Sequence, residues 1–501
     1  MTRASNRLAS LSGREKLASS PSAPPACSED NPGLGTKLAY GFGSVAFGVK
    51  DGGFNYFLLL FYGTVVGLEP GLVGLAILIA LVLDALSDPL VGYWSDNLRS
   101  RWGRRHPFMY ASAIPVAATY YLIWNPPTDW SQGALFAYLL GLAVLIRTFI
   151  TFYETPSSAL LPELSADYQE RASLQSYRIL FGWVGGNAMT VLMFGVLLVP
   201  TAQYYHGILN REGYATYGVI ASLLIFAAIM ISSLATHRNI RQMRQPPPPL
   251  AFSAGKLFGE MLETLREKSF LALFWATILG SIATGLSAAL AFTMLTYFWG
   301  FSSEQQFVWT ALVFFSALIG FGIAPVTVRW WGKKKAVIVL GLIAFTIAPA
   351  PVILRLFGVM PENGDPMLFP LVVTINTLDL SLIIALQAVL YSMIADLVES
   401  SELRTGRRSE GVFYAAVTFT RKCTVGLGSF AAGLILSAVS FPQGQQGVEV
   451  AADTLWWLGA LYAPTLLALW LAMIFAISRY RISKDDHEAN LARLAATQPA
   501  D

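Results

Sequence analysis

Asp84 and Asp88 stand four residues apart inside an otherwise apolar stretch near 71–97. A four-residue step places both carboxylates on one face of a helix. Two acids on one face repel, so either one carries a proton or a cation sits between them. Oxygen-rich clusters of this kind suit protons and hard cations. The alternative is a structural pair satisfied by neighbouring basic residues. A third acid, Glu154, closes the fourth apolar stretch just before Thr155-Pro156, with the Thr151 hydroxyl one turn back on its face. Glu154 is read either as an added ligand or as an interfacial residue at a helix end. Asp51 follows Lys50 in the middle of the first stretch. These two either neutralise one another, or Asp51 accepts hydrogen bonds from a polar solute. Arg178 begins the apolar part of the fifth stretch, and Lys422, beside Arg421, lies well inside the eleventh. Cations at such depth pair with carboxylates or with an anionic or hydroxylated ligand; Arg178 alternatively snorkels to an interface. Asn376, Asp379 and Gln387 give the tenth stretch a polar face.

Composition explains why these charges matter. Of 501 residues, 54% are hydrophobic and only 13% charged, and mean hydropathy is +0.53. Soluble domains carry about 25% charged residues, so the solvent implied is a bilayer. A carboxylate at its centre costs about 2.5–3.5 kcal/mol even on a lenient insertion scale, and such residues are functional by default. Asp84, some way into its stretch at about 1.5 Å per residue, would lie roughly 20 Å deep. A net charge of +3 spread over short loops gives no nucleic-acid surface. Cys27 and Cys423 make neither a disulfide framework nor a thiolate metal site. The four histidines are scattered and no Walker sequence is present, so neither a hydrolytic or redox site nor ATP coupling within the chain is expected.

A span needs about 20 apolar residues. That ruler gives stretches near 37–63, 71–97, 108–124, 131–160, 172–199 and 213–235, then near 268–298, 305–330, 335–357, 367–397, 410–440 and 455–480. The expected fold class is an all-α membrane protein of twelve transmembrane helices in two six-helix bundles. The bundles are expected at 36–236 and 268–482, joined by a polar cytoplasmic linker, 237–267, with tails at 1–35 and 483–501. The N-terminal tail is Arg-, Ser- and Pro-containing; it reads as a disordered end rather than a transit peptide. Lys and Arg concentrate on alternate loops: Arg99 to Arg105, the linker, Arg329 with Lys333–Lys335, and Arg404 to Arg408. The positive-inside rule then places both termini in the cytoplasm. The halves echo each other, Arg101-Trp102-Gly103-Arg104-Arg105 after the second stretch answering Trp330-Trp331-Gly332-Lys333-Lys334 after the eighth. Repeats of this kind mark carriers that rock two bundles around a central site.

The chain resembles major-facilitator transporters of the glycoside–pentoside–hexuronide:cation symporter family, the melibiose-permease type, from roughly Thr36 to Arg481. The resemblance rests on Lys37-Leu-Ala-Tyr-Gly-Phe-Gly43, Asp84-Ala-Leu-Ser-Asp-Pro-Leu-Val-Gly92 and Arg99-Ser-Arg-Trp-Gly-Arg104. Ala395-Asp-Leu-Val-Glu399, and Glu410 standing twelve residues before Lys422, extend it. It implies a cation site, for Na+ or H+, of Asp84, Asp88, Glu154 and Thr151, with Glu154 where the family commonly has Asp. It implies a cytoplasmic gating motif of Asp96, Arg101, Gly103, Arg104, Arg105, Asp396 and Glu399. Arg178 and Lys422 match family cations on the fifth and eleventh helices. Around the substrate the match is looser: Gly48 aligns with a sugar-contacting aspartate that Asp51, one turn on, would replace. Ser158 and Gln387 stand where the family stacks tryptophans on sugar rings. The expected substrate site is Asp51, Arg178, Lys422, Gln387 and Ser158.

The expected activity is cation-coupled symport of a sugar, glycoside or similar small polar solute by alternating access, in the cell inner membrane. The chain is expected to work as a monomer, with membrane lipid around it and no cofactor beyond the coupling ion. A lysolipid-like amphiphile carrier is the alternative within transport, and a transport-inactive membrane receptor the alternative outside it.

Overall fold

The computed structural model describes residues 32–165, 167–204, 206–238, 268–405, 410–444 and 450–480. The expected C-terminal tail and most of the expected N-terminal tail and linker lie outside these residues. The described residues form helices and connecting turns, with no strand among them. Helices suit hydrocarbon because each satisfies its own backbone donors and acceptors.

The first apolar stretch is broken where the pattern suggested one helix. It comprises α1 (Leu34–Phe42), α2 (Val45–Gly52), a π-helical turn (Gly53–Phe57), α3 (Leu58–Leu60) and a second π-helical turn (Phe61–Val66). Such π turns are frequent at functional sites; here the first begins two residues after Asp51. Then come α4 (Pro70–Asn97), α5 (His106–Ile123), α6 (Gln132–Leu164), α7 (Tyr168–Leu192) and α8 (Arg211–His237). The second half contains α9 (Lys268–Thr293), α10 (Ser303–Ile347), α11 (Ala350–Leu356), α12 (Leu368–Thr405), α13 (Glu410–Ala438) and α14 (Ala452–Ser478). Caps mark several starts: the Ser131 hydroxyl accepts from Ala134 N, Asp167 accepts from Gln169 N, and Ser302 with Gln305 closes a reciprocal capping box.

The expected eighth and ninth stretches run together as α10, interrupted at Gly332, whose φ of 70° is left-handed. Gly103, at the matching place in the first half, has φ 76°. Both glycines take a backbone conformation that a Cβ disfavours, so the echo of Trp-Gly-basic motifs is also an echo of chain reversal.

Eight helical stretches among the described residues are long and apolar enough to cross a membrane. Large apolar side chains such as Ile114, Leu223, Leu318, Phe321 and Phe475 lie exposed on the outer surface, where lipid rather than water would meet them. Packing inside relies on close backbone approach. A Cβ at Gly48 would fall 1.9 Å from the Gly182 carbonyl oxygen, so α2 and α7 touch along glycine. In lipid, where burial of apolar surface drives no helix association, such contacts supply the van der Waals energy.

The two halves of the chain meet along α4 and α13, which pack closely. They are also tied at the end carrying the turns after Val66, Leu197, Phe298 and Ala438. There the Ser437 hydroxyl donates to Glu69 Oε1 at 2.8 Å, Gly444 N donates to Thr64 O at 3.1 Å, and the Ser303 hydroxyl donates to Leu198 O at 2.7 Å. Just below, Phe292 stacks on Phe57 at 5.0 Å and meets Phe194 at 4.5 Å.

Candidate functional site

α4 delivers Asp84 and Asp88 on one face, with Pro89 next in line. Because proline has no N–H, the turn around Asp88 loses one helical hydrogen bond. α6 crosses this face and presents Arg147 and Thr151, one turn apart. The Thr151 hydroxyl lies 2.9 Å from Asp84 Oδ1 and 3.1 Å from Asp88 Oδ1. α13 supplies Lys422, whose Nζ is 2.6 Å from Asp88 Oδ2 and 3.1 Å from Asp84 Oδ2. Arg147 Nη1 stands 3.4 Å from Asp84 Oδ2, its guanidinium 4.8 Å over the Phe54 ring. Asp84 is 3% exposed and Arg147 equally buried, so each needs the other's charge.

The quartet of Asp84, Asp88, Arg147 and Lys422 is electrically balanced. The acids are therefore neutralised by basic side chains in this conformation, the arrangement weighed against cation binding from the sequence. Its geometry nonetheless offers carboxylate and hydroxyl oxygens converging on one point, with the ammonium of Lys422 held where a free cation would be attracted. Lys422, expected at the substrate, thus joins the acids as well as the cavity wall.

A cavity of about 380 Å³ opens beside the quartet. Lys50, Asp51, Asn55, Arg147, Glu154, Gln387, Arg421 and Lys422 give it polar walls. Lys50 Nζ pairs with Asp51 Oδ1 at 2.7 Å, Lys50 being buried and Asp51 about half exposed. Glu154 lines the cavity near the acid pair. Among the described residues no three acidic, His or Cys side chains come close enough to hold a metal ion, so Glu154 does not close a three-carboxylate cage in this state. The lining also has an apolar part, with Leu386, Trp470 and Met473. Trp470 stacks on Phe345 at 4.1 Å and 6°, an aromatic surface absent from the two positions where sugar-stacking tryptophans were sought.

Arg178 and Ser158 come together but outside the cavity wall. Arg178 Nη2 donates to the Ser158 hydroxyl at 2.8 Å, and its guanidinium lies over Tyr40 and Phe47 at 5.4 and 5.8 Å. Gly48 has no room for the side chain that its aligned position carries in the family, because Gly182 occupies that space. Asp51, one turn on, reaches the cavity instead.

At the loop after α4, Arg105 bridges Asp96 at 3.3 Å and Glu163 at 2.9 Å, and Arg104 also pairs with Glu163. Gly103 makes the turn and Arg101 is exposed. Lys37 closes a further bridge to Glu170 at 2.5 Å. Asp396 and Glu399 fall on α12, but their side chains lie outside the described residues. Three participants went unnoticed in the sequence: Arg147, Glu163 and Trp470. Arg147 carried a signal, a cation mid-span in the fourth stretch; Glu163 lies one helix end away from the basic loop it binds, and Trp470 in an apolar run carried none.

Residues 39–484 match the family model described as MFS/sugar transport protein. A putative glycoside/cation symporter, YagG of Escherichia coli, is 25% identical over 90% of this chain and 93% of its own length. The sodium-dependent lysophosphatidylcholine symporter 1 of Gallus gallus is 24% identical over 81% of this chain and 80% of its own length. Among solved structures, the nucleoside transporter NupG superposes with a TM-score of 0.59 at 16% identity, covering 88% of this chain and all of that one, a likeness of fold. The chain is therefore a multi-pass membrane transporter rather than an enzyme, and it belongs to the MFS/sugar transport protein family, of the glycoside–pentoside–hexuronide:cation symporter type.

Proposed function

We propose that this protein is a symporter that couples Na+ or H+ to the movement of a small polar solute, a sugar or glycoside, by alternating access. The observation that carries the reading is Lys422 of α13 bound to both Asp84 and Asp88 of α4. One tethered cation thus joins the two halves of the chain at the acids. A coupling ion arriving at Asp84, Asp88 and Thr151, with Glu154 approaching, releases Lys422 toward the cavity. There it meets a hydroxylated solute beside Asp51 and Gln387. Ion binding and solute binding then reinforce one another through a single side chain, the differential contact that coupling requires.

In this reading twelve crossings form bundles at 36–236 and 268–482, with the termini and the 237–267 linker in the cytoplasm and a monomer as the working unit. The ties around Ser437, Gly444 and Ser303 close the outer end, so the conformation faces inward. The Asp96–Arg105–Glu163 bridges, with Arg101, Arg104, Asp396 and Glu399, belong to the inner gate.

The test is uptake into proteoliposomes under imposed proton or sodium gradients. Accumulation driven by one gradient and lost in Asp88→Asn supports the assignment; undiminished gradient-driven accumulation in that variant overturns it. The apolar wall of Leu386, Trp470 and Met473 favours one second reading, an amphiphile with a polar head, as the lysophosphatidylcholine symporter's name states for that protein. Competition between a glycoside and a lysolipid in a thermal-shift assay separates the two.

A further inference from the structure

Asp379 lies on α12 about 16 Å along the axis from Leu368 at about 1.5 Å per residue. It is 8% exposed, and its Oδ1 is buried without a hydrogen-bond partner. Among the described residues no cation pairs with it. This sets it apart from Asp84, whose burial is answered by Arg147, Lys422 and Thr151. Of the other described acids well inside a span, Asp51, Asp84 and Asp88 are paired and Glu154 opens on the cavity.

The groups around Asp379 are hydroxyls. Tyr462 of α14 is the titratable side chain within reach of its charge, and the Tyr462 hydroxyl donates to Ser287 Oγ on α9 at 3.4 Å. On α10, Ser316 donates to the Thr377 carbonyl at 3.2 Å, and the nearest basic run reaches α12 only at its other end, where Lys333 Nζ donates to the Ser392 carbonyl at 3.4 Å. On α13, Lys422 is committed to Asp84 and Asp88. The cavity begins one turn away: Ile383 and Gln387 on the same face of α12 line it, as do Thr284 and Ala288 on either side of Ser287. A carboxylate desolvated without a counter-charge is held as the neutral acid. A lone carboxylate with hydroxyl neighbours also lacks the six or more oxygens a hard metal cation takes.

We propose that Asp379 is a second ion-binding site, for a proton, separate from the Asp84–Asp88 site and reached from the cavity past Ser287 and Tyr462. The carboxylate accepts a proton from cavity water in one orientation of the carrier and returns it to water in the other, so the bound species is the neutral acid and no other reactant is needed. The inference rests on the symport reading above and narrows it: at least part of the driving force is the proton gradient.

The test uses the full chain in proteoliposomes. Infrared difference spectra across a pH titration should show a protonated-carboxyl C=O band at neutral pH that disappears in Asp379→Asn. The band should return, displaced, in Asp379→Glu, a variant that keeps the acid should Asn disturb folding. Spectra unchanged by Asp379→Asn overturn the proposal. In transport, one proton per solute at about 100 mV sustains an accumulation ratio of roughly fifty-fold. Asp379→Asn should lower accumulation by up to that fifty-fold share with solute-for-solute exchange still measurable; an undiminished ratio refutes the role in coupling. If the wild-type chain accumulates nothing under any gradient, the symport reading fails, while the infrared titration still decides Asp379.

Discussion

Replacing Lys422 with methionine tests the central ion pair quantitatively. The substitution keeps the length of the chain and removes one positive charge from a balanced quartet, leaving Asp84 and Asp88 to share Arg147. Removing one partner of a buried pair costs about 3–5 kcal/mol. The Lys422 side chain is 21% exposed and that of Asp88 28%, so the lower end, about 3 kcal/mol, applies. That loss should appear in thermal unfolding of the purified protein in a buffer free of the coupling ion. It should be largely restored by the ion itself, because an added cation now occupies the position of the ammonium without displacing it. A ligand at 100 times its Kd contributes about 2.7 kcal/mol, enough to offset most of the deficit. Titration with sodium at constant ionic strength, and separately with acid, identifies which ion restores it. The wild-type protein, which must first release Lys422, should respond less to the same ion. If Lys422→Met melts with the wild-type protein in ion-free buffer, or if neither sodium nor acid stabilises it more than wild type, the reasoning fails.

Thr151→Val preserves shape and removes the hydroxyl that touches both acids. A hydrogen bond to a charged group contributes about 1.5–3 kcal/mol, so ion affinity read by the same thermal shift should fall about tenfold or more. Glu163→Gln leaves Arg104 and Arg105 without their shared acid; because these side chains are 7–18% exposed, stability should drop by about 3 kcal/mol, and the maximal transport rate should change with it. At Gly74 an added Cβ would meet the Phe430 backbone at 2.8 Å. Gly74→Val should therefore loosen the contact between α4 and α13 near Ser437, seen as faster maleimide labelling of a cysteine placed by Ser437→Cys, while equal labelling rates would speak against that contact.

The sequence alone settled the solvent and the chemistry on offer. Low charge density, long apolar stretches and alternating basic loops imply a multi-pass membrane chain, and helix periodicity puts Asp84 and Asp88 on one face. These properties are local, set by neighbours within a few residues, and so survive without knowledge of the fold. The boundaries of α4, α8 and α14 lie within three residues of the stretches read from hydropathy, for the same reason. The first stretch did not, because its π turns follow from how Gly48 and Gly53 pack against other helices rather than from its apolar run. Likewise nothing in sequence spacing reveals that Lys422 reaches across more than 330 residues to Asp88, or that Arg147 answers Asp84. It takes the crossing of α4, α6 and α13 to decide which charges cancel. Packing alone leaves Arg178 and Ser158 outside the cavity wall, sets Trp470 within it and gives Asp379 no partner among the described residues. Residue type gives each acid its capacity to hold a proton or cation; whether it does so, and against what counter-charge, is fixed only by which helices meet at its depth.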